Sequence, residues 1–385
     1  MKKATRLIPV LIAPLLLTSC GKVVKYADHL DDYVFTMQYR KNFSILQLTD
    51  IHWNINSSTY ESKQYIDKLL EEAVQHAGGK LDLVELTGDM FMLSNSFEVR
   101  DFINFFEKES AKYGDFKYAV IWGNHDRHGM YNPNWLADQF RKAKNALYFE
   151  PNDDLYGRSN FMINLTEDGT KATSVKWQIA NLDSGASFSE SPMSPFRDYD
   201  YIRKDQTEWW LAEHNAAGAS VPGIAYYHIP QDENLKMWDA VQGGATNRNK
   251  FFKLEDFADN GMEEYASDFI DVAIQNNLKG AFMGHAHNVD WTVEMEDAGT
   301  GNKLLLGLGV KTGIELYYAH IDVNSTDPAM IAGLNSVGIT ENFDLIGGSL
   351  VTLTDEVDNI EGKFDLEHLY YNERESGDFK VWVKF

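Results

Sequence analysis

The chain has 385 residues, of which 44% are hydrophobic, and its formal net charge is −23 at pH 7. This composition is typical of a globular protein with a large core, and the length allows one large domain or two of medium size. The negative charge argues against nucleic acid and anionic lipid surfaces as partners, because like charges repel. Cys20 is the only cysteine, so an internal disulfide is excluded.

The first 20 residues predict a signal peptide for export. A basic start is followed by an apolar stretch over residues 7–17, and small residues come before Cys20. The sequence LTSC at residues 17–20 resembles the bacterial lipobox, in which the cysteine is acylated. We therefore expect a lipoprotein that is anchored through Cys20 to the bacterial cell membrane or outer membrane. An ordinary signal peptide with an incidental cysteine is the alternative.

Residues 21–40 are interpreted as a spacer, although YVFTMQY within them could also be a leading strand. From Phe43 onward, short apolar runs alternate with amphipathic segments whose apolar residues recur about every four positions. Strand, helix, strand, helix and strand are predicted in FSILQLTD (43–50), ESKQYIDKLLEEAVQHA (61–77), LDLVELTGD (81–89), FEVRDFINFFEKESAKY (97–113) and FKYAVIWGNHD (116–126). This order predicts parallel strands whose functional residues lie at their carboxyl ends.

The middle of the chain continues with strands and helices. Strands are predicted in FMINL (161–165), VKWQIANLDSG (175–185), GIAYYHIP (223–230) and LKGAFMGHAHN (278–288), and helices in DQTEWWLAEHNAA (205–217) and MEEYASDFIDVAIQNN (262–277). Trp209 and Trp210 on the first of these helices are expected to be core residues rather than a substrate platform.

The last hundred residues contain alternating apolar and polar runs, which predict antiparallel strands. These runs are DWTVEME (290–296), KLLLGLG (303–309), IELYYAHIDV (314–323), GGSLVTLTD (347–355) and GDFKVWVKF (377–385). No linker rich in proline or serine separates the two halves of the chain. We therefore expect one two-layer domain with sheets contributed by both halves.

Five of the predicted strands end in residues that can bind a metal ion. Their ends contain Asp50 and His52, then Asp89, then Asn124-His125-Asp126, then His228, and finally His285 and His287. Imidazole combined with carboxylate, without cysteine, suits Zn, Fe, Mn or Ni. Together these residues offer more donors than one ion needs, so two ions are implied, about 3.5–4 Å apart if a carboxylate bridges them.

The motifs D-x-H, G-D, G-N-H-D, a lone His and G-H-x-H, in this order, resemble the calcineurin-like metallophosphoesterase superfamily. LQLTDIHW, NLDSGA, YDYIRKDQTEWW and YYHIP resemble its purple acid phosphatase-like branch. The resemblance implies an αββα sandwich of two mixed sheets flanked by helices, with residues 41–385 as the catalytic domain. One departure is that Met92 stands where purple acid phosphatases have a tyrosine ligand. The resemblance therefore implies an ordinary two-metal site without a phenolate-bound Fe(III).

The resemblance also implies a role for each residue. Asp89 would bridge the two ions, His125 would assist the leaving group, and Asp126 would orient His125. Asn124 and His125 would contact the substrate, while Arg127 and His128 would either bind phosphate or lie on a solvated loop. The first ion would be held by Asp50, His52 and His287, and the second by Asn124, His228 and His285.

The implied reaction is hydrolysis of phosphate esters by a metal-bridging hydroxide, with two divalent ions (Mn, Fe or Zn) as cofactors. Monoesters are favoured as substrates. Phosphodiesters, such as nucleotides or lipid head groups, are the alternative because monoesterases and diesterases share these ligands. A non-catalytic ligand-binding surface lipoprotein is a further alternative. The pocket that decides between substrates is expected to be built by loops such as residues 127–160 and 184–204, in which Asp183 is expected to be a turn residue.

Overall fold

The computed structural model describes residues 33–54, 59–92, 94–127, 132–150, 155–188, 198–231, 250–255 and 267–384. Within these ranges the protein is a mixed α/β structure with two eight-stranded sheets, one two-stranded sheet and six α-helices. Cys20 and the predicted signal peptide lie outside the described residues. In the part of the chain that is described, no helix is both long and apolar enough to cross a membrane.

The helices are α1 Thr59–His76, α2 Ser96–Lys112, α3 Pro133–Lys142, α4 Lys204–Ala217, α5 Phe269–Gln275 and α6 Pro328–Val337. The strands are β1 Val34–Gln38, β2 Phe43–Leu48, β3 Leu83–Thr87, β4 Lys117–Ile121, β5 Ala146–Leu147, β6 Phe161–Thr166, β7 Val175–Asn181, β8 Ser187–Phe188, β9 Asp198–Tyr199, β10 Gly223–Tyr226, β11 Lys250–Lys253, β12 Leu278–Met283, β13 Val289–Glu296, β14 Lys303–Leu308, β15 His320–Ile321, β16 Phe343–Leu353, β17 Phe364–Asn372 and β18 Asp378–Lys384.

Sheet I has the strand order β1-β6-β7-β10-β12-β14-β13-β11. Its central strands β7, β10, β12 and β14 run parallel, and β13 pairs antiparallel with β14. The sequence predicts β14 as an antiparallel strand. This is correct for its pairing with β13, but its pairing with β12 is parallel. β1 pairs in parallel with β6, so the leading strand considered for YVFTMQY is present.

Sheet II has the strand order β18-β17-β16-β2-β3-β4-β5, with β15 beside β16. β2, β3 and β4 run parallel, as the alternation of strands and helices predicts, and β5, which was not predicted, pairs parallel with β4. β16 connects this parallel part to the C-terminal strands, because it pairs antiparallel with both β2 and β17.

The two sheets pack face to face, and helices lie on their outer faces. Side chains alternate along β3: Leu83 faces the core between the sheets, whereas Val84 faces the cluster formed with α1, α2 and α3. On sheet I, Trp209 and Trp210 of α4 are buried in the core, as the sequence predicts. This arrangement is the predicted αββα sandwich.

The prediction of a strand over IELYYAHIDV is wrong for most of the segment, since only His320–Ile321 forms β15. The ammonium of Lys311 donates hydrogen bonds to the carbonyls of Gly313 and Glu315, which therefore do not join a strand ladder. Leu316 also adopts a positive φ of 63°, which is incompatible with an extended strand.

Two helices were not predicted although the sequence contains their start signals. Asn132 before Pro133 caps α3, and Asp327 before Pro328 caps α6, each accepting a hydrogen bond from a backbone N–H of the first turn. Of the helix predicted at residues 262–277, Phe269–Gln275 forms α5, residues 267–268 and 276–277 are not helical, and residues 262–266 lie outside the described residues.

Glu85 is a buried acid in the core between the sheets. Its side chain is fully buried on β3, and neither carboxyl oxygen meets a hydrogen-bond donor in good geometry. Burial raises the pKa of Glu85 well above its ordinary value of 4.5, although Asn181 partly opposes this shift. Burial in the fold therefore favours the neutral form of Glu85 over the carboxylate.

We expect Glu85→Gln to stabilise the protein increasingly as the pH rises from 5 to 8. Above pH 4.5 the unfolded chain ionises Glu85 while the fold keeps it protonated, so wild-type stability falls with rising pH until the raised pKa is reached. Glutamine has the same shape and no such dependence. Urea unfolding at several pH values with saturating Mn²⁺ measures the difference, and Glu71→Gln on the exposed surface of α1 is the control. A Glu85→Gln protein that is less stable than wild type at pH 8 would contradict a neutral Glu85.

Candidate metal centre

The polar residues at five strand ends meet at one place between the two sheets. They follow β2, β3 and β4 of sheet II and β10 and β12 of sheet I, each at the carboxyl end of a parallel strand. The sequence predicts this position. The residues brought together are Asp50, His52, Asp89, Asn124, His228, His285 and His287.

The first group of donors consists of Asp50, His52 and His287. The Nε2 atoms of the two histidines lie 3.0 Å apart, and Asp50 Oδ1 lies 3.6 Å from His287 Nε2 and 4.0 Å from His52 Nε2. Ligand atoms that each lie about 2.1 Å from one ion are separated by roughly 3–3.5 Å in tetrahedral geometry. These three side chains are therefore close to the spacing that a single metal ion requires.

The second group contains Asp89, His228 and His285, with Asn124 beside them. His228 Nδ1 lies 2.9 Å from the carbonyl oxygen of Thr87, which can only accept, so this nitrogen carries a hydrogen. The opposite nitrogen, Nε2, faces Asn124 Oδ1 at 3.1 Å and Asp89 Oδ1 at 3.4 Å. Either a proton or a metal ion between Nε2 and the two oxygens removes the repulsion of these electron-rich atoms, and a metal ion fits this position.

Asp89 lies between the two groups. Its Oδ1 approaches His228 of the second group, while its Oδ2 lies 3.9 Å from His52 Nε2 of the first. A carboxylate that presents one oxygen to each group has the arrangement of a bridging ligand.

Asp50 supplies the clearest sign that the site fits a metal. Its Oδ2 accepts a hydrogen bond from the backbone N–H of His285 and contacts the Thr49 hydroxyl, both at 2.8 Å. Its Oδ1 is buried without any hydrogen-bond partner and is directed toward the histidines. An orphaned carboxylate oxygen is costly in a protein interior unless a cation binds it.

The acids and histidines of the site shift one another's pKa values. Burial by itself raises the pKa values of Asp50 and Asp89, but the surrounding histidines outweigh this effect and hold both pKa values well below the usual range. Burial lowers the pKa of His52 to about 3 and that of His285 to about 4. Carboxylates and neutral imidazoles are the forms in which these residues bind metal.

His228 differs from these two histidines. Burial by itself lowers its pKa, but the charge and contact of Asp89 raise it to about 9. Its ring lies closer than that of His52 to Asp89, the carboxylate that approaches both groups, which explains why its pKa shifts in the opposite direction.

The backbone of the site is strained at the donors themselves. Asp50, His52, Asp89 and His285 adopt positive φ values of 51°, 50°, 49° and 81°. Non-glycine residues rarely adopt this left-handed conformation, and such strain clusters at functional sites.

The glycines of the motifs allow close packing around the donors. A Cβ atom on Gly88 would lie 2.4 Å from His228 Nδ1, and one on Gly123 would lie 2.3 Å from Asp89 Oδ1. On Gly284 it would lie 1.9 Å from Thr49 Oγ1. Any larger residue at these positions would displace a donor or its support.

His125 and Asp126 follow Asn124 in a short 3₁₀ turn. The His125 ring is half-buried and packs edge to face on His52, with ring centroids 5.1 Å apart. Both oxygens of Asp126 accept backbone hydrogen bonds, from Gly123 at 2.8 Å and Phe91 at 3.1 Å. Burial and the charge of Asp89 raise the pKa of Asp126 to about 8. Asp126 thus fixes the turn that carries His125.

Arg127 forms an ion pair with Asp183, an acid outside both donor groups. Its guanidinium donates to Asp183, which is fully buried and also accepts hydrogen bonds from the N–H groups of Gly185 and Arg158. Asp183 therefore organises the loop around Arg127, which is more than the turn role expected for it. His128 lies outside the described residues.

Comparison with known proteins gives the family. The family model for calcineurin-like phosphoesterases matches residues 43–289, the region that contains every donor described above. The chain belongs to this family. It is a metal-dependent phosphoesterase of mixed α/β fold with purple acid phosphatase-like relatives.

Two curated relatives are each 23% identical to this phosphoesterase. One is the "Probable inactive purple acid phosphatase 29" of Arabidopsis thaliana, aligned over 66% of this chain and 69% of the relative. The other is the "Phosphatase DCR2" of Saccharomyces cerevisiae, aligned over 69% of this chain and 47% of the relative, so the chain spans about half the length of the yeast protein.

Solved structures with a similar fold have low sequence identity. A dimetal phosphatase from Danio rerio is 10% identical, with a TM-score of 0.46, 89% coverage of this chain and 99% coverage of the other. A purple acid phosphatase from yellow lupin is 12% identical, with a TM-score of 0.40, 90% coverage of this chain and 54% of the other.

A cleft of about 290 Å³ opens over the donors of the phosphoesterase. Tyr199 lines this cleft and belongs to residues 184–204, one of the two loops expected from the sequence to build the pocket. Glu255, Leu316 and Tyr317 come from segments without any motif and were missed. Lys311 was also missed: its buried ammonium lies 3.2 Å from the carbonyl oxygen of Asp50 and supports the loop that carries Leu316 and Tyr317.

We expect Asp89→Ala to lose at least one of two bound divalent ions, because Asp89 approaches both groups of donors. Unfolding stability in Mn²⁺ should fall with it, since a ligand that binds the native state stabilises that state. Metal content per chain after dialysis is the measurement, and Asp138→Ala on the surface of α3 is the control. Retention of two ions at wild-type affinity would show that Asp89 is not a shared ligand.

Proposed function

We propose that this phosphoesterase hydrolyses phosphate monoesters at a two-metal centre, with His125 assisting the departure of the alcohol. The observation that carries the proposal is the meeting of two donor groups at Asp89, with the half-buried His125 beside them. Asp89 and His125 line the same cleft, together with His285 and His287. In this proposal Asp50, His52 and His287 hold one ion, and Asn124, His228 and His285 hold the other.

Bound divalent ions would lower the pKa of water toward neutrality and stabilise negative charge on the phosphate oxygens. The chain must supply the remaining requirement, a proton for the leaving oxygen. His125 is suited to that role because it lines the cleft without belonging to either donor group. Asp126 acts on His125 through the backbone of the turn, and the His125 N–H donates to Asp89 at 2.8 Å, which fixes the turn relative to the metal site.

Arg127 is assigned a smaller part in this proposal. Its ion pair with the buried Asp183 offsets its charge and occupies one guanidinium nitrogen. A direct phosphate contact by Arg127 is therefore secondary to contacts by Asn124 and His125, both of which line the cleft.

We expect His125→Ala to retain both ions and to lower kcat by about 10²–10⁴, the usual range for loss of a positioned acid. The loss should shrink for aryl phosphates whose leaving group needs no proton, whereas Asn124→Ala should slow all substrates alike and weaken one metal site. The measurement is kcat/KM across a series of leaving groups at saturating Mn²⁺, with metal content determined in parallel. His76→Ala, at a histidine of α1 that pairs with Glu367, is the control.

Three outcomes would change this proposal. A deficit of His125→Ala that does not vary with leaving-group pKa would replace proton donation by charge stabilisation. Loss of metal in the same variant would make His125 a ligand. Absence of hydrolysis of any mono- or diester by protein that holds two ions would favour a ligand-binding lipoprotein instead.

The lipid anchor is a separate proposal that rests on the LTSC sequence alone. We expect Cys20→Ala to release the protein from membranes or to block its maturation, because the thiol is the acylation site. Membrane fractionation and the intact mass of the protein are the measurements. An unchanged distribution and mass would indicate an ordinary signal peptide.

A further inference from the structure

Three side chains of the cleft pack around the His285–His287 segment without belonging to either donor group. The Tyr199 ring lies 4.3 Å from the His285 ring, and the Tyr317 ring lies 4.7 Å from the His287 ring. Glu255 accepts a hydrogen bond of 2.7 Å from the backbone N–H of His287. Two aromatic rings and a carboxylate therefore form one side of the cleft, next to the metal ligands.

The charge of this wall favours a positively charged group over an anion. Among the described residues that line the cleft there is no lysine or arginine, and Glu255 is an acid outside the donor groups. An anionic group on the far side of the substrate would be repelled by Glu255, whereas a cation would be attracted by the carboxylate and by the faces of the tyrosine rings.

Hydrogen bonds from Lys311 hold the loop that carries Tyr317. Lys311 donates to the carbonyls of Gly313 and Glu315, and the next residue, Leu316, keeps a strained positive φ of 63°. Leu316 and Tyr317 nevertheless remain 46% and 56% exposed at the cleft. A strained loop that presents apolar side chains to solvent at a binding cleft is typical of a ligand-contacting segment.

We propose that Tyr199, Glu255 and Tyr317 form a subsite for a positively charged ammonium group on the alcohol part of the substrate. The preferred substrates are then phosphomonoesters of amino alcohols. This inference rests on the proposed phosphatase function, since the ester phosphate must bind at the two-metal centre for its alcohol to lie against this wall. Glu255 supplies the negative charge, and the tyrosines supply ring faces of low polarity.

The test compares two esters that differ only in charge. Phosphocholine carries a quaternary ammonium, and 3,3-dimethylbutyl phosphate is its neutral carbon isostere. With Mn²⁺-loaded protein we expect kcat/KM for phosphocholine to exceed that for the isostere by about tenfold or more, the size of one cation–π contact or partly screened ion pair. A ratio of one or less in the wild type would overturn the proposal.

Variants test which side chains produce the ratio of kcat/KM between phosphocholine and its isostere. Glu255→Gln should lower the ratio by about tenfold while keeping an oxygen for the His287 N–H. Tyr317→Leu should lower it as well, and Tyr317→Phe should preserve it because the ring face remains. The control Glu356→Gln removes an exposed carboxylate that pairs with Lys41 outside the cleft, and it should leave the ratio unchanged. A ratio that Glu255→Gln does not alter would overturn the role of Glu255.

The same pair of esters separates this inference from the proposed function. If nitrophenyl phosphate is hydrolysed but the two esters react equally, the phosphatase function stands and the subsite fails. If nothing is hydrolysed, calorimetric binding of both esters to the Mn²⁺-loaded protein still decides the subsite. Tighter binding of phosphocholine would support it, and equal affinities would reject it.

Discussion

Two buried carboxylates, Asp50 and Asp89, lie close together where the two sheets meet, and the surrounding structure compensates their charge. In a protein interior such a pair repels strongly and loses the hydration that water would provide. The backbone N–H groups of His285 and His125 each donate to one of the two carboxylates. The buried ammonium of Lys311 adds a positive charge beside the backbone of Asp50. The remaining oxygen, Asp50 Oδ1, faces the Nε2 atoms of two histidines at distances too long for a hydrogen bond.

The need to bring compensating groups close to these two carboxylates also explains the backbone conformation of the site. Donors from five strand ends can converge only if the chain turns sharply directly after each strand, and four of the donors adopt positive φ values as a result. The glycines at 88, 123 and 284 remove the side chains that would otherwise fill the space taken by His228, Asp89 and Thr49. The short motifs of the sequence therefore have two roles. They supply the metal-binding side chains, and their glycines let these side chains approach one another closely.

Much of the fold could be predicted from the sequence because its signals are local. The parallel strands β2, β3 and β4 and the helices between them have strong periodicity, and the strand ends that meet at the centre follow directly from that order. The walls of the cleft could not be predicted. Glu255 and Tyr317 are placed there by the pairing of distant segments and by the hydrogen bonds of Lys311, and neither residue stands in a recognisable pattern. The same hydrogen bonds turn IELYYAHIDV, which has a strand-like pattern, into a loop.

The donors are shared between the sheets, since Asp50 and His52 follow a strand of sheet II and His287 follows a strand of sheet I. An ion held by these three side chains would be a cross-link that closes most of the chain into a single loop. Closing a long loop removes entropy from the unfolded chain in the same way as a disulfide, which a chain with one cysteine cannot form. Resistance to unfolding and to proteolysis would then follow the supply of divalent ions, and a chelator would act on this protein as a reducing agent acts on a disulfide-bonded one.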